Sequence, residues 1–196
     1  FAAYIREIHL FNATYRLVGA EGDEFVTKHL LDSLAPLGIL QSLISSFPAG
    51  SVICDVGSGA GLPGIPLAIM MPGMPFALVE RSGRRCGFLR NALAICNLHD
   101  RVEVIERDLS EIDGRYALVT FRAFHPLADI IRPIGDILAE GGVVCAYKGR
   151  KEAVEEELAA VDALVREGKG GSEHGWIPSI TPLTVPGLDA SRTLCV

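Results

Sequence analysis

The feature that most constrains this fold is the alternation of short apolar runs with longer amphipathic segments after Pro48. The strand-like runs lie at residues 51–56, 75–80, 101–106, 116–121 and 142–147, and helical patterns occupy 62–70, 83–96, 127–139 and 152–166 between them. Strand and helix repeated at this pace are typical of a parallel sheet covered by helices on both faces. The pattern therefore predicts an α/β fold.

The end of the chain predicts a different connection. Strand-like runs at 177–184 and 192–196 are separated by a short turn containing proline and glycine, and residues 169–175 before them read as a loop. The turn is too short for a crossover helix, so the two strands should form an antiparallel hairpin. We expect a Rossmann-like, seven-stranded, mostly parallel sheet that ends in this hairpin.

The first 48 residues carry apolar side chains at helical spacing, for example Tyr4, Ile8 and Phe11. We therefore divide the chain into an N-terminal helical segment, 1–48, and an α/β domain, 49–196, which together form one structural unit. The first residue is Phe1 and not methionine. We accordingly expect the helical segment to be truncated at its start.

Composition excludes several classes of protein. The chain has 196 residues, 49% of them hydrophobic, and a net charge of −6, which is typical of one globular domain and not of a disordered chain. Its five cysteines show no two-residue spacing, so we expect neither a disulfide scaffold nor a metal site. Prolines and glycines interrupt the most apolar stretch, residues 62–79. We expect a cytoplasmic monomer with no membrane span.

A glycine-rich loop follows the first predicted strand and carries the strongest functional signal. Its glycines allow a sharp turn and a close approach of a ligand to the backbone. Gly59, Gly61 and Gly64 match the dinucleotide pattern G-x-G-x-x-G, which is a weak signal alone. Gly57, Gly59 and Gly61 after an acidic residue fit the loop of S-adenosylmethionine-dependent methyltransferases better.

The acidic residues help to decide between these two ligands. Asp55 would repel the pyrophosphate of a dinucleotide, but it would favour the sulfonium and ammonium groups of S-adenosylmethionine. Glu80 ends the second strand and suits the ribose hydroxyls of either ligand. Asp108, after the third strand, is either a contact to adenine or the N-cap of the next segment.

Several motifs together resemble the bacterial ribosomal RNA small subunit methyltransferase G family. They are His29-Leu-Leu-Asp32-Ser33, the loop 55–66, Arg122-Ala123-Phe124, Lys148-Gly149 and Leu188-Asp-Ala-Ser-Arg192. The resemblance implies a class I methyltransferase fold. It also implies transfer of a methyl group from S-adenosylmethionine to N7 of one guanine in 16S ribosomal RNA, as naked RNA or within the 30S subunit.

The resemblance also implies a set of site residues. The expected cofactor-binding residues are Asp55, Gly57, Ser58, Gly59, Gly61, Leu62, Glu80, Asp108, Leu109 and Arg122. Arg122 is further expected to orient the guanine, with a salt bridge at the sheet edge as its alternative role. Guanine N7 carries an exposed lone pair and no proton, so no general base is required. We expect His29 to be structural, paired with Asp32 or Ser33.

Basic residues are the candidates for RNA contact. They are Arg84, Arg85, Arg90, Lys148 and Arg192, and phosphate contacts from such residues would position the RNA rather than read its sequence. The alternative for the arginines of residues 81–90 is a solvated helix face.

Other functions remain open from the residues alone. They are a small-molecule methyltransferase of the same fold, a nicotinamide-dependent oxidoreductase, and a binding module without catalysis.

Overall fold

The strands form one sheet in the computed structural model, which describes residues 1–169 and 176–196. The strands are β1 (Ile53–Val56), β2 (Phe76–Val79), β3 (Val102–Ile105), β4 (Tyr116–Arg122), β5 (Leu138–Lys148), β6 (Ile180–Leu183) and β7 (Arg192–Cys195). Their order across the seven-stranded sheet is β3-β2-β1-β4-β5-β7-β6. The first five strands pair in parallel, whereas β7 is antiparallel to both β5 and β6. The predicted sheet and its terminal hairpin are confirmed.

Helices cover both faces of this sheet. Their bounds are α1 (Ala2–Tyr15), α2 (Gly22–Phe25), α3 (Asp32–Leu34), α4 (Leu37–Ile44), α5 (Gly64–Met70), α6 (Gly83–Ile95), α7 (Leu127–Ile137) and α8 (Lys151–Arg166). A π-helical turn, Val26–Leu31, joins α2 to α3, and a 3₁₀ turn spans Leu109–Glu111. Neither of these turns was predicted.

Successive side chains of the central strands enter two different apolar clusters. Ile53 packs with the N-terminal helices, α5 and α6, whereas Cys54 packs with α7 and α8. This is the period-two alternation of a strand buried on both faces. The carboxyl ends of β1, β2, β3 and β4 consequently meet at one edge of the sheet, where ligands bind in open α/β folds.

The N-terminal helices share an apolar cluster with the sheet. Tyr4 of α1 is fully buried, and its hydroxyl donates a hydrogen bond of 2.6 Å to the Ala60 carbonyl in the glycine loop. The Tyr147 hydroxyl of β5 donates one of 2.7 Å to the Ser33 carbonyl. These bonds connect the two parts of the chain on either side of the predicted boundary at residue 48.

Some element bounds differ from their predictions. Helix α7 ends at Ile137, and β5 begins at Leu138, because Leu138 already pairs with Tyr116 of β4. The pairing register then shifts between Tyr116 and Leu118. Of the loop predicted at 169–175, only Lys169 lies within the described residues. In the described part of the chain, no helix combines the length and the apolar character that a membrane crossing requires.

The bond from Tyr4 to the glycine loop gives a test of this packing. Tyr4→Phe leaves the buried Ala60 carbonyl without its partner, so we expect the free energy of unfolding to fall by about 1–3 kcal/mol. Urea unfolding followed by circular dichroism measures it. The control is Tyr15→Phe, a half-buried tyrosine on the same helix. Equal stability of the two variants would contradict the importance of this bond.

Candidate functional site

A first cleft of about 510 Å³ opens at the carboxyl ends of β1, β2 and β3. It is lined by Val56, Gly57, Val79, Glu80, Arg81, Arg85, Arg107, Asp108, Leu109, Ser110, Ala123, Phe124, His125, Asp129, Ile130 and Pro133. The cleft brings together predicted residues from three separate strand ends, namely Gly57, Glu80 and the Asp108–Leu109 pair. This is the position expected for a nucleoside site in an open α/β sheet.

The glycine loop requires glycine for two different reasons. Gly57, Gly59 and Gly61 all have positive φ angles, of 69°, 56° and 85°. A Cβ at Gly57 would overlap the ring of Phe124, and one at Gly61 would overlap Ile65. A Cβ at Gly59 would meet only the Gly57 carbonyl, at 3.7 Å. Gly57 is therefore the loop glycine that lines the cleft, and Gly59, which does not line it, is the one with open space on its Cβ side.

Hydrogen bonds of Ser58 and Leu62 stabilise the turn of the glycine loop. The hydroxyl of Ser58, which is buried, donates a 2.8 Å hydrogen bond to the Asp55 carbonyl. The backbone N–H of Leu62 donates to the Ser58 carbonyl at 3.1 Å. Neither residue lines the cleft. The structure thus places both of them, with Gly61, inside the turn and not against the cavity.

Asp55 lies beneath the loop and does not face the first cleft. Its carboxylate is fully buried, and its Oδ2 accepts a 3.0 Å hydrogen bond from the backbone N–H of Gly64 at the start of α5. Among the described residues, its Oδ1 has no hydrogen-bond partner. Burial raises the pKa of this carboxyl to about 7. The structure thus encloses the Asp55 side chain within the turn that it supports, and its predicted contact with the cofactor, direct or through water, stays a prediction.

Glu80 is held in place by two backbone groups and still lines the first cleft. Its Oε2 accepts a hydrogen bond of 3.0 Å from Gly59 N–H, and its Oε1 accepts one of 2.8 Å from Ser82 N–H. The Arg85 guanidinium is 3.7 Å from Oε2. Each carboxylate oxygen has two lone pairs, so both retain capacity for a further donor such as a ribose hydroxyl.

Asp108 is the N-cap of the 3₁₀ turn. Its Oδ1 accepts hydrogen bonds from the backbone N–H of Ser110 at 3.2 Å and from the Ser110 hydroxyl at 2.9 Å. These bonds hold the pKa of Asp108 below its usual value. The residue and its neighbour Leu109 also line the first cleft. Capping and ligand contact, the two roles left open by the sequence, are therefore compatible.

A second cleft of about 580 Å³ adjoins the first. Its lining includes four cationic side chains, Lys28, Arg122, Lys148 and Arg192, and two acidic ones, Asp32 and Glu157. The two clefts share the residues Ala123, Phe124 and His125. Ala123 has a φ of 49°, an uncommon angle for a residue with a Cβ, and it turns the chain at the end of β4. That turn sets the Phe124 ring against Gly57.

Arg122 lines the second cleft and not the first. Its Nη1 donates to Asp32 Oδ2 at 2.7 Å and to the Lys28 carbonyl at 3.3 Å, and its Nη2 is 3.1 Å from His29 Nδ1. These bonds place the Arg122 guanidinium in the second cleft, and its predicted contact with the cofactor or the guanine stays a prediction.

Asp32 is shared between two arginines. Its Oδ1 accepts a 2.8 Å hydrogen bond from Arg192 Nε, in addition to the bond from Arg122. The Asp32 carboxylate is almost fully buried. Bonds of this kind between buried charges are strong because little water competes for them. One carboxylate therefore fixes two of the predicted functional arginines.

His29 pairs with Arg122, where the sequence suggested Asp32 or Ser33. Arginine has no acceptor, so His29 Nδ1 must accept this bond and the neutral imidazole must carry its proton on Nε2. Burial, followed by the charge of Arg122, lowers the pKa of His29 to about 4. The Ser33 hydroxyl instead donates to the His29 carbonyl at 2.6 Å. His29 is thus a neutral side chain with a defined tautomer.

The other predicted cations are mostly paired with acids. Lys148 Nζ is 2.6 Å from Glu157 Oε2, which also accepts from Leu127 N–H at 2.9 Å. On α6, Arg90 pairs with Glu106 at 2.9 Å. The expected basic surface is consequently weaker than the sequence suggests.

Arg84, also on α6, contacts an aromatic ring: its guanidinium lies over the ring of Tyr15, 5.8 Å from the centroid.

Sequence reasoning missed three groups of the site. The sequence placed Phe124 in a family motif without assigning it a function. Its position between the clefts depends on the turn at Ala123. Asp32 was considered only as a partner of His29, because its arginine partners are 90 and 160 residues away in the chain. Arg107 of the first cleft follows β3 directly, so its strand-end position was the available signal.

Comparison with known proteins agrees with this architecture. A family model for ribosomal RNA small subunit methyltransferase G matches residues 1–170. The chain belongs to this family. The ribosomal RNA small subunit methyltransferase G of Stenotrophomonas maltophilia (strain K279a) is 39% identical over 194 residues, which cover 97% of this chain and 82% of that protein. The one from Borrelia turicatae (strain 91E135) is 35% identical over 163 residues, covering 82% of this chain and 76% of that protein.

Solved structures confirm the class I methyltransferase fold. An S-adenosylmethionine-dependent O-methyltransferase from Thermotoga maritima superposes with a TM-score of 0.58 at 19% identity, covering 98% of this chain and 70% of that chain. A putative rRNA-methylase from Clostridium thermocellum has a TM-score of 0.56 at 18% identity, with coverages of 81% and 93%. Family membership confirms the predicted methyltransferase and decides against the oxidoreductase.

The buried carboxyl of Asp55 predicts a pH-dependent stability. Its pKa is raised in the folded protein, so the native state holds a proton that the unfolded chain releases at lower pH. Stability from this group is therefore lost as pH rises from about 4 towards 7, by up to about 1.4 kcal/mol per pH unit. The Asp55→Asn variant has no carboxyl at this position, so it does not lose this stability as the pH rises. We expect urea unfolding to show the variant gaining stability relative to the wild type over that window.

Other titrating groups, including His29, are common to both proteins and cancel in this difference. A difference in unfolding free energy that stays constant from pH 4 to pH 7 would contradict the assignment to Asp55.

Proposed function

We propose that this chain transfers a methyl group from S-adenosylmethionine, bound in the first cleft, to N7 of a guanine of 16S ribosomal RNA held in the second cleft. The observation that carries the proposal is the wall shared by the two clefts, formed by Ala123, Phe124 and His125. A ligand in each cleft would meet across these residues. Family membership supports ribosomal RNA of the small subunit as the substrate, and such a substrate fits a cytoplasmic enzyme.

The residues of the first cleft fit this cofactor. Glu80 would hold the ribose hydroxyls, and the Asp108–Leu109 segment would contact the adenine, because all three residues line the cleft. The methionine portion would lie along the glycine loop, where Gly57 lines the cleft and Gly59 leaves open space beside it. S-adenosylmethionine, when bound, supplies an electrophilic methyl group on a sulfonium. Asp55 would act indirectly, by holding the loop through Gly64.

Methyl transfer to N7 requires neither a general acid nor a general base. The N7 lone pair forms the new bond to carbon while the carbon–sulfur bond breaks, and its electron pair neutralises the sulfonium. No proton leaves N7, and the purine gains the positive charge. The protein must therefore align the two reactants at roughly 3 Å, which is the positioning contribution to catalysis. The absence of a required base agrees with the neutral, bonded state of His29.

The charges of the second cleft fit an RNA substrate. Its cationic side chains outnumber its acidic ones, and they include Arg192 of β7 and Lys148 of β5. We assign Arg122 a positioning role, since three protein acceptors fix its guanidinium. Arg192 and Lys148 retain N–H groups that can meet phosphate oxygens. A small neutral substrate would not require these cationic side chains.

The decisive experiment is a transfer assay with radiolabelled methyl donor. The protein is incubated with 30S subunits or naked 16S ribosomal RNA that lacks the modification, and any label is mapped to a nucleotide. We expect label on N7 of a single guanine. Label on small molecules only, or on another base position, would overturn the proposal.

Placement of the cofactor is tested by Gly59→Val. A valine side chain would enter the open side of the loop and strain a residue at φ 56°. We expect at least a tenfold loss of S-adenosylmethionine affinity by calorimetry. Gly50→Val is the matched control, since Gly50 also has a positive φ, of 85°, but lies in the exposed turn before β1. Wild-type affinity in Gly59→Val would contradict the placement.

RNA contact by α6 is tested by Arg84→Glu. This side chain lies over Tyr15 and does not line the first cleft, so we expect weaker RNA binding, a shallower salt dependence and unchanged cofactor affinity. Arg166→Glu makes the same charge change at the far end of α8, about 20 Å from the end that begins beside the second cleft. Equal RNA affinities of the two variants would remove α6 from the interface.

A further inference from the structure

One ring nitrogen of His29, in the second cleft, is a neutral hydrogen-bond donor without a protein partner among the described residues. His29 lines this cleft, and its Nδ1 is occupied by Arg122 at 3.1 Å. Because arginine only donates, the imidazole must be neutral with its proton on Nε2. Among the described residues, Nε2 has no hydrogen-bond partner. The side chain is thus a fixed donor without an acceptor.

Its neighbours hold this imidazole in place. Arg122 is itself fixed by the Asp32 carboxylate and the Lys28 carbonyl. On its other side, the imidazole lies against the ring of Phe25, with 5.4 Å between the centroids. Asp32 also binds Arg192, so the orientation of the histidine depends on a chain of contacts that reaches β7. A donor with this support keeps a defined direction, which is a requirement for reading a base edge.

The Hoogsteen edge of guanine presents two acceptors, N7 and O6. During methylation N7 must stay free for the methyl carbon, which leaves O6 for recognition. Adenine has an amino group in the place of O6 and would present a donor there. A single neutral donor beside N7 therefore separates guanine from adenine without occupying the reacting atom.

The charge state of the donor matters as well. The purine gains positive charge as N7 is methylated, and a cation beside O6 would oppose that gain. A neutral imidazole avoids this cost. The Asp32 carboxylate, 2.7 Å from Arg122 and shared with Arg192, reduces the positive charge beside the histidine.

We propose that His29 is a specificity-determining residue whose Nε2–H donates to O6 of the target guanine. This inference rests on the proposed function, because it assumes that the guanine occupies the second cleft. It assigns His29 a contact to substrate in addition to its structural bond with Arg122.

Two variants separate these roles of the histidine. His29→Asn keeps an acceptor near the position of Nδ1 and has no donor at the position of Nε2. His29→Gln places an amide N–H near Nε2 and lacks the acceptor near Nδ1. Each is assayed for single-turnover transfer to RNA with guanine at the target position, and to the same RNA with 2-aminopurine there. The analogue keeps N7 but has no O6.

We expect the wild type and His29→Gln to prefer guanine over 2-aminopurine by about tenfold or more, the range of one base-edge hydrogen bond. His29→Asn should lose this preference, with its rate on guanine falling to that on 2-aminopurine. Thermal unfolding and cofactor binding of both variants establish that they are folded.

A preference retained in His29→Asn would overturn the inference, and so would an equal loss of rate on both bases in the two variants, which indicates a structural role only. Failure of the proposed function is visible separately, because the wild type would then transfer no methyl group to N7 of guanine.

Discussion

The carboxylate of Asp32 connects three parts of the chain that the sequence keeps far apart. It binds Arg122 at the end of β4 and Arg192 at the start of β7 from a position just after the π-helical turn. Burial makes both bonds strong, and removing the carboxylate would leave two half-buried guanidinium groups without a counter-charge. The shape and the charge of the second cleft depend on this shared ion pair.

The proposed function assigns a different ligand to each cleft, and the side chains of the two clefts fit this assignment. The first is lined by strand ends and backbone turns, with three carboxylates and three arginines, and its carboxylates would accept hydrogen bonds from a nucleoside. The second is lined by four cationic side chains, two acidic ones and the neutral His29, which would suit a polyanion with an uncharged base. The shared wall at Ala123–His125 is short, so ligands in both clefts would be brought close together.

Periodicity and glycine spacing predicted most of the fold, because they reflect local constraints. Strands β1 to β4 lie within the runs predicted for them, apart from Arg122 at the end of β4, and the terminal hairpin follows from the short turn before Arg192. The start of β5 was missed because Leu138 joins the sheet through pairing with Tyr116, a tertiary effect that a helical pattern does not show.

The site was predictable only where a residue's position along its strand decides its role. Glu80 and Asp108 lie at strand ends and line the first cleft, as expected. Asp55 is the next-to-last residue of β1, but the direction of its side chain, beneath the loop, depends on the start of α5. Arg122 and His29 were assigned from motifs, and their partners come from contacts across 93 residues of chain.

The most direct measurement is a crystal structure of the protein with S-adenosylhomocysteine and a guanosine nucleotide. We expect the cofactor product along the glycine loop at Gly57 and along Glu80, and the guanine across Ala123–His125 with N7 facing the sulfur. A guanine bound elsewhere, or a cofactor product outside the first cleft, would contradict it.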